Sequence, residues 1–159
     1  MTVALAPNDK APDFQMPSDQ GGDLRLTDLH GRIVVLYFYP KDDTSGCTSE
    51  AKAFTEAMPQ FDAAGATVVG VSKDSVKSHG KFRDKHGLSV RLGADVEGEV
   101  VERYGVWVQK SMYGRKYMGI ERATFLIDGQ GVIQRVWRKV SVPGHVDDVL
   151  AAVRALGAN

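Results

Sequence analysis

The chain has 159 residues, of which 43% are hydrophobic and 25% charged, a composition typical of a globular protein large enough to bury a core. Twenty basic residues balance twenty acidic ones, so charge gives no reason to expect binding to nucleic acid or to an anionic membrane. The longest apolar run is too short for a bilayer and the N-terminus lacks a secretory signal pattern, so we expect one cytoplasmic domain over residues 1–159.

The first half of the chain predicts a short hairpin followed by alternating strands and helices. The turn sequence DQGGD and residues 24–29 indicate a small N-terminal hairpin or extended segment. Residues 33–39 are β-branched and aromatic and stop at Pro40, as in a central strand buried on both faces. Apolar residues then recur every three or four positions from Cys47 to Phe61, which predicts a helix that Pro59 kinks or ends.

The second half continues the alternation and closes with a helix. We predict a buried strand at 67–72, a helix at 75–86 ended by Gly87, a short helix at 97–104, a strand at 123–127, an antiparallel strand at 132–136 and a helix at 146–156. The turn between the last two strands is DGQG, residues 128–131. This order predicts a mixed α/β sheet with helices on both faces.

Cys47 is the only cysteine, so an internal disulfide cannot form. Its place after a strand, a proline and a polar loop puts it in the first turn of the predicted helix, where free backbone N–H groups and the helix dipole favour a thiolate. Gly46 permits close backbone approach, and Thr44 and Ser45 offer hydroxyls as caps or hydrogen-bond partners. A lone cysteine is also often a small buried hydrophobe, and both interpretations stay open on these residues alone.

Several other chemistries lack their sequence signals. Threonine at position 44 stands where a Cys-x-x-Cys oxidoreductase has its first cysteine, so dithiol cycling within this motif is impossible. The four histidines are scattered without a companion cysteine at metal-ligand spacing, and no glycine-rich phosphate motif occurs. We therefore expect neither a metal nor an organic cofactor.

The stretch around Cys47 resembles the peroxiredoxins. Pro40, Thr44 and Cys47 match the signature P-x-x-x-T-x-x-C, and LYFYPKDDTSGCTSEA is similar to the bacterioferritin-comigratory, or peroxiredoxin Q, branch. The resemblance continues through GVSKDSVKSH, YGVW, KSMYGRKYMGIERATFLID and the dipeptide GH at 144–145, and so covers nearly the whole chain in order.

This resemblance implies a thioredoxin-like fold and a cysteine-dependent peroxidase for hydrogen peroxide and organic hydroperoxides. Cys47 matches the cysteine that attacks the peroxide, Thr44 the hydroxyl that bonds thiolate and substrate, Pro40 the residue that shields the pocket, and Arg122 the arginine that polarises the peroxide. The expected substrate-binding residues are Thr44, Gly46, Cys47 and Arg122. Without the resemblance, Arg122 would be interpreted as a surface partner of Glu121.

The sequence leaves alternatives open for three further residues. Glu50 is expected to cap the helix or to pair with a basic residue. For Trp107 and Tyr39, both a place at the pocket entrance and core packing stay open, with core packing favoured.

The chain departs from many members of this branch at the second, resolving cysteine. Lysine occupies position 52, Phe82 and Arg83 occupy the alternative region on the next helix, and Ser45 stands where proline is usual. We therefore expect a monomeric one-cysteine enzyme whose sulfenic acid needs an external thiol from thioredoxin, from glutathione with glutaredoxin, or from a second subunit. The alternatives are a non-enzymatic redox sensor that forms mixed disulfides through Cys47 and an inactive scaffold.

Overall fold

The computed structural model describes residues 4–157, which form a central sheet with helices on both faces. The strands are β1 Gln15–Pro17, β2 Asp23–Arg25, β3 Ile33–Phe38, β4 Ala66–Ser72, β5 Arg91–Ala94, β6 Trp107–Met112, β7 Arg115–Ile120, β8 Ala123–Ile127 and β9 Ile133–Trp137. The helices are α1 Ser45–Ala63, α2 Val76–His86, α3 Glu99–Arg103 and α4 His145–Gly157, and a 3₁₀ turn covers Leu26–Leu29.

The central sheet has five strands in the order β5-β4-β3-β8-β9. Strands β3, β4 and β5 run parallel, whereas β8 runs antiparallel to both β3 and β9, so the predicted mixed sheet is confirmed. β3 is the middle strand, which is why all but its first residue are buried. Two further hairpins, β1–β2 and β6–β7, lie outside this sheet.

Successive side chains of β3 point to opposite faces of the sheet and belong to two separate cores. On one face Val34, Leu36 and Phe38 pack with α3 and the N-terminal segment. On the other face Val35, Tyr37 and Tyr39 pack with α1, α2 and α4, and this second core includes Cys47. The catalytic candidate is therefore held in the core that α1, α2 and α4 form with the sheet.

Most predicted elements are confirmed, including the left-handed Gly87 that ends α2 and the turn at 128–131. Pro59 does not end α1, which continues to Ala63. The proline is exposed, and the turns on either side of it still bury Phe54 and Phe61 against the sheet, so tertiary packing outweighs the lost backbone hydrogen bond. Residues 26–29 form a 3₁₀ turn rather than an extended strand.

The sequence analysis did not predict β5 or the β6–β7 hairpin. β5 has only four residues, and β6–β7 shows no apolar alternation because most of its side chains are exposed. Within residues 4–157, no helix combines the length and the apolar character needed to cross a membrane.

Candidate active site

Cys47 lies in the first turn of α1, as predicted. Thr44 has extended backbone angles and begins the helix by accepting the Thr48 N–H at 2.8 Å through its carbonyl. Cys47 is the third helical residue and is only 2% exposed. The first backbone N–H groups of a helix have no intrahelical acceptor, so the sulfur lies in a region of positive potential.

The Thr44 side chain differs from its expected role as a cap or a partner of the sulfur. Its hydroxyl donates to the Lys41 carbonyl at 2.8 Å, and no side chain caps the helix. This bond links two residues within the loop between Pro40 and α1. In this structure the Thr44 hydroxyl therefore stabilises the loop and does not donate to the Cys47 sulfur.

Arg122, between β7 and β8, brings its guanidinium over the helix start. Its Nη2 donates to the Cys47 sulfur at 3.3 Å, and its Nη1 donates to Glu50 at 2.7 Å. A Cβ at Gly46 would lie 3.2 Å from the same Nη2, so glycine there leaves the guanidinium its place. The alternative of a pair with Glu121 is wrong, because Glu121 binds Arg138 at 2.8 Å instead.

Glu50, for which the sequence leaves open a role as a helix cap or as the partner of a basic residue, pairs with Arg122. Its side chain is fully buried, and burial raises its pKa from 4.5 to about 7 against the opposing effect of Arg122. Among residues 4–157, its second oxygen, Oε2, has no hydrogen-bond partner, and neither does the nearby Tyr37 hydroxyl. Two acidic groups, the thiol and this carboxyl, therefore share one guanidinium in a site with little water.

A cavity of about 300 Å³ opens beside the site. Its lining combines apolar and basic side chains: Pro40, Lys73, Trp107, Lys110, Tyr117, Met118, Gly119 and Ile120. Burial, followed by the charge of Arg122, lowers the pKa of Lys110, while Cys47 acts in the opposite direction. Trp107 lines this cavity and is also packed against one core, whereas Tyr39 is fully buried in the other.

A buried polar network supports the loop from below. Asp42 Oδ2 lies 2.7 Å from His79 Nδ1 and accepts the Ser78 hydroxyl at 2.8 Å, and Asp42 Oδ1 accepts the Tyr39 hydroxyl at 2.6 Å. His79 Nε2 contacts the Gly93 carbonyl at 2.9 Å. Asp42, Asp74 and His79 have metal-ligand spacing, but protein groups already bond all three side chains.

Of the predicted residues, Gly46, Cys47 and Arg122 lie together, whereas Pro40 is exposed and lines the neighbouring cavity. The positions at which many relatives carry a second cysteine contribute no side chain to this site. Lys52 is exposed on α1, and Arg83 on α2 binds Asp19 at 2.6 Å and the Leu88 carbonyl at 2.7 Å. The three-residue spacing of Cys47 and Glu50 on one helix is the signal that could have identified Glu50 as a site residue.

Comparison with known proteins agrees with this geometry. Residues 7–136 match the AhpC/TSA family. A putative peroxiredoxin bcp of Coxiella burnetii is 51% identical over 148 residues, which is 93% of this chain and 98% of that protein. Peroxiredoxin Bcp of Bacillus subtilis is 44% identical over 154 residues, covering 97% of both.

The fold of a solved relative is equally similar. The structure of the Xanthomonas campestris bacterioferritin comigratory protein, studied for its alkyl peroxide reduction activity, superposes with a TM-score of 0.88 at 40% identity and covers 99% of both chains. One assignment follows from the fold, from the sequence similarity and from the contact between the thiol and the guanidinium of Arg122. This chain belongs to the peroxiredoxins of the AhpC/TSA family, in the branch of the Bcp and peroxiredoxin Q proteins, and it lacks a resolving cysteine.

Proposed function

We propose that Cys47 is the peroxidatic nucleophile of this thiol-dependent peroxidase and that Arg122 is its main electrostatic partner. The observation that carries this assignment is the 3.3 Å contact between Arg122 Nη2 and the Cys47 sulfur, at a helix N-terminus. A fixed guanidinium and free N–H groups favour the thiolate, which is the reactive form. Pro40 and Gly46 shape the space above the sulfur, and Thr44 orients the loop.

The chemical step transfers one oxygen atom. The thiolate attacks one oxygen of ROOH, the O–O bond breaks, and the products are the sulfenate of Cys47 and ROH, whose hydroxyl carries the proton of the peroxide. Negative charge develops on the leaving oxygen, where Arg122 and the helix N–H groups are placed to stabilise it. Hydrogen peroxide and organic hydroperoxides are the proposed substrates, in line with the alkyl peroxide reduction studied in the Xanthomonas campestris relative.

The second half of the cycle needs a thiol from outside the chain, because Cys47 is the only cysteine. An incoming thiol condenses with the sulfenic acid to a mixed disulfide and water, and a second thiol releases Cys47. Thioredoxin, or glutathione with glutaredoxin, supplies it in this proposal. A monomer acting in the cytoplasm fits, since a reducing compartment keeps a single thiol reduced.

One experiment tests the assignment directly. After one equivalent of peroxide without reductant, intact-mass measurement should show one added oxygen on the wild type and none on Cys47→Ser. Arg122→Ala should lower the second-order rate constant for peroxide by about 10²-fold, the effect typical of removing one transition-state donor. An unmodified wild-type mass, or equal rates for wild type and Arg122→Ala, would remove the basis of this mechanism.

A non-enzymatic redox sensor is the second candidate. A sensor needs only a reactive cysteine, whereas the guanidinium donor directed at the sulfur serves the turnover of peroxide. Sustained peroxide consumption with dithiothreitol is expected for the enzyme, and a single stoichiometric oxidation without turnover for a sensor.

A further inference from the structure

We propose that the cavity beside Cys47 binds a small thiol that carries a carboxylate, with Lys110 and Lys73 facing the anionic group, and that this thiol resolves the sulfenic acid. The inference rests on the proposed function, in which Cys47 is oxidised and needs an external reductant. It adds the chemical class of that reductant and the residues that select it.

The charge of the cavity is the first observation. Lys73 and Lys110 line it, no aspartate or glutamate does, and within residues 4–157 neither lysine forms a salt bridge. The hairpin segment 107–120 has three basic residues and no acidic one, although the whole chain is neutral. An unpaired, half-buried ammonium in such a lining favours an anion.

The walls and the size of the cavity are the second observation. Pro40, Trp107, Met118 and Ile120 provide apolar surface, and the Lys73 ammonium lies 4.2 Å from the centre of the Trp107 ring. A volume of about 300 Å³ is at the lower end of ligand pockets, which suits a small organic molecule and excludes a protein domain. The occupant therefore has a short apolar body and an anionic end.

The reaction explains why the occupant is a thiol. The R group of an organic hydroperoxide leaves with ROH, whereas a mixed disulfide keeps the rest of the reductant attached to Cys47. The steps balance as Cys47–SOH + R′SH → Cys47–S–S–R′ + H₂O, followed by Cys47–S–S–R′ + R′SH → Cys47–SH + R′S–SR′. Pro40 of the loop before α1 and Ile120 of the segment that leads to Arg122 line the cavity, which has room for R′ during the first product's lifetime.

The test compares small thiols of similar size and different charge on pre-oxidised enzyme. Stopped-flow fluorescence gives the resolution rate for 3-mercaptopropionate, 2-mercaptoethanol and cysteamine at equal thiolate concentration. The remaining differences in thiolate nucleophilicity cancel when the rate ratios of variant and wild type are compared. We expect the wild type to prefer the anionic thiol over the neutral one by roughly tenfold at low salt, and the preference to fall as salt is added. Lys110→Met should reduce this ratio at least threefold.

Lys116→Met is the matched control, since Lys116 is exposed on the same hairpin and does not line the cavity. It should leave the ratio unchanged. The rate of oxidation by hydrogen peroxide, measured separately, should be the same in the wild type and in Lys116→Met. Absence of this oxidation in the wild type would contradict the proposed function instead. The ratio of iodoacetate to iodoacetamide alkylation of Cys47 examines the same cavity without any oxidation step.

Two results would overturn the subsite. One is a thiol-charge preference, or an alkylation ratio, that is the same in Lys110→Met and the wild type. The other is an effect of Lys110→Met that is confined to oxidation by a carboxylate-bearing hydroperoxide, which would assign the cavity to the peroxide rather than to the reductant.

Discussion

Arg122 is the residue on which the site depends, because it contacts both acidic groups of the pocket. Its Nη2 lies 3.3 Å from the Cys47 sulfur and its Nη1 lies 2.7 Å from Glu50. Arginine's planar fork holds two acceptors in fixed directions, which a lysine cannot do. The charge state of Glu50 therefore determines how much of the guanidinium's charge is left for the sulfur.

Glu50→Gln is expected to change how stability depends on pH. As the pH rises from the ordinary pKa of 4.5 to the folded value of about 7, the unfolded chain loses a proton that the folded protein keeps. The wild type should therefore lose stability relative to Glu50→Gln, by on the order of a few kcal/mol across that window. Urea unfolding of both proteins at intervals between pH 4 and 8 measures the difference.

Glu56→Gln is the control, because Glu56 is exposed on the same helix. Its stability difference from the wild type should stay flat. A flat difference for Glu50→Gln as well would mean that Glu50 has the same pKa in the folded and unfolded protein, so that burial does not raise it.

At the scale of elements, the loop before α1 is fixed to α2 and β5 through Asp42 and His79. The imidazole contacts Asp42 at 2.7 Å on one nitrogen and the Gly93 carbonyl at 2.9 Å on the other. Burial alone would lower the pKa of His79, but the hydrogen bond and charge of Asp42 outweigh it and raise the pKa. The stability that this contact adds is complete below the unfolded pKa of 6.5 and is lost as the pH rises through the folded value.

Asp42→Asn should lower the free energy of unfolding by about 3–5 kcal/mol near pH 6, because it leaves a buried imidazolium without its partner. His79→Gln should cost less, and the double variant should cost less than the sum of the two. Urea unfolding and a double-mutant cycle measure the coupling. Strictly additive losses would show that the two side chains act independently.

His79→Gln is also expected to lower the rate of reaction with peroxide. Since Asp42 belongs to the loop that carries Pro40 and Thr44, we expect the rate constant for hydrogen peroxide to fall in folded His79→Gln, while its circular dichroism spectrum stays like that of the wild type. Ser75→Ala, which removes only the α2 cap bond to Ser78 N, is the control on the same helix and should leave the peroxide rate unchanged.

At the scale of the whole molecule, two buried groups on the same side of the sheet oppose each other as the pH changes. Burial lowers the pKa of His145 from 6.5 to about 4, and its Nε2 lies 2.8 Å from the Thr124 hydroxyl. Between pH 6.5 and 4 the unfolded chain therefore takes up a proton that the folded protein does not bind. The free energy of unfolding falls as the pH falls through this range. Glu50 has the opposite effect over most of this range.

His145→Gln should remove the acid side of this dependence. The stability advantage of the wild type over the variant is expected to shrink as the pH drops from 6.5 towards 4, because only the wild type has the histidine that remains neutral. Thermal unfolding at several pH values follows the difference, with the exposed His30→Gln as control. A constant difference would contradict a neutral, buried His145.

The local sequence predicted much of this molecule. Hydrophobic periodicity identified β3, β4, β8, β9 and the longer helices, and the strand, proline and helix around Cys47 predicted where a thiolate is favoured. Such features depend on neighbours along the chain, so they can be inferred from residue types and spacing. The motif with Pro40, Thr44 and Cys47 and the distant Arg122 then indicated the family.

Tertiary structure decided the features that depend on residues far apart in sequence. Arg122 binds Glu50 rather than its neighbour Glu121, the β6–β7 hairpin forms one wall of a cavity, and His79 meets Asp42. Charge pairs and cavities depend on how β3, β8 and α1 pack, and packing leaves no periodic signal in polar side chains. The sequence by itself determined that Cys47 has no internal thiol partner, and the family motif indicated Arg122. Only the packed sheet decided that the same guanidinium also meets Glu50 and that the β6–β7 hairpin encloses a cavity.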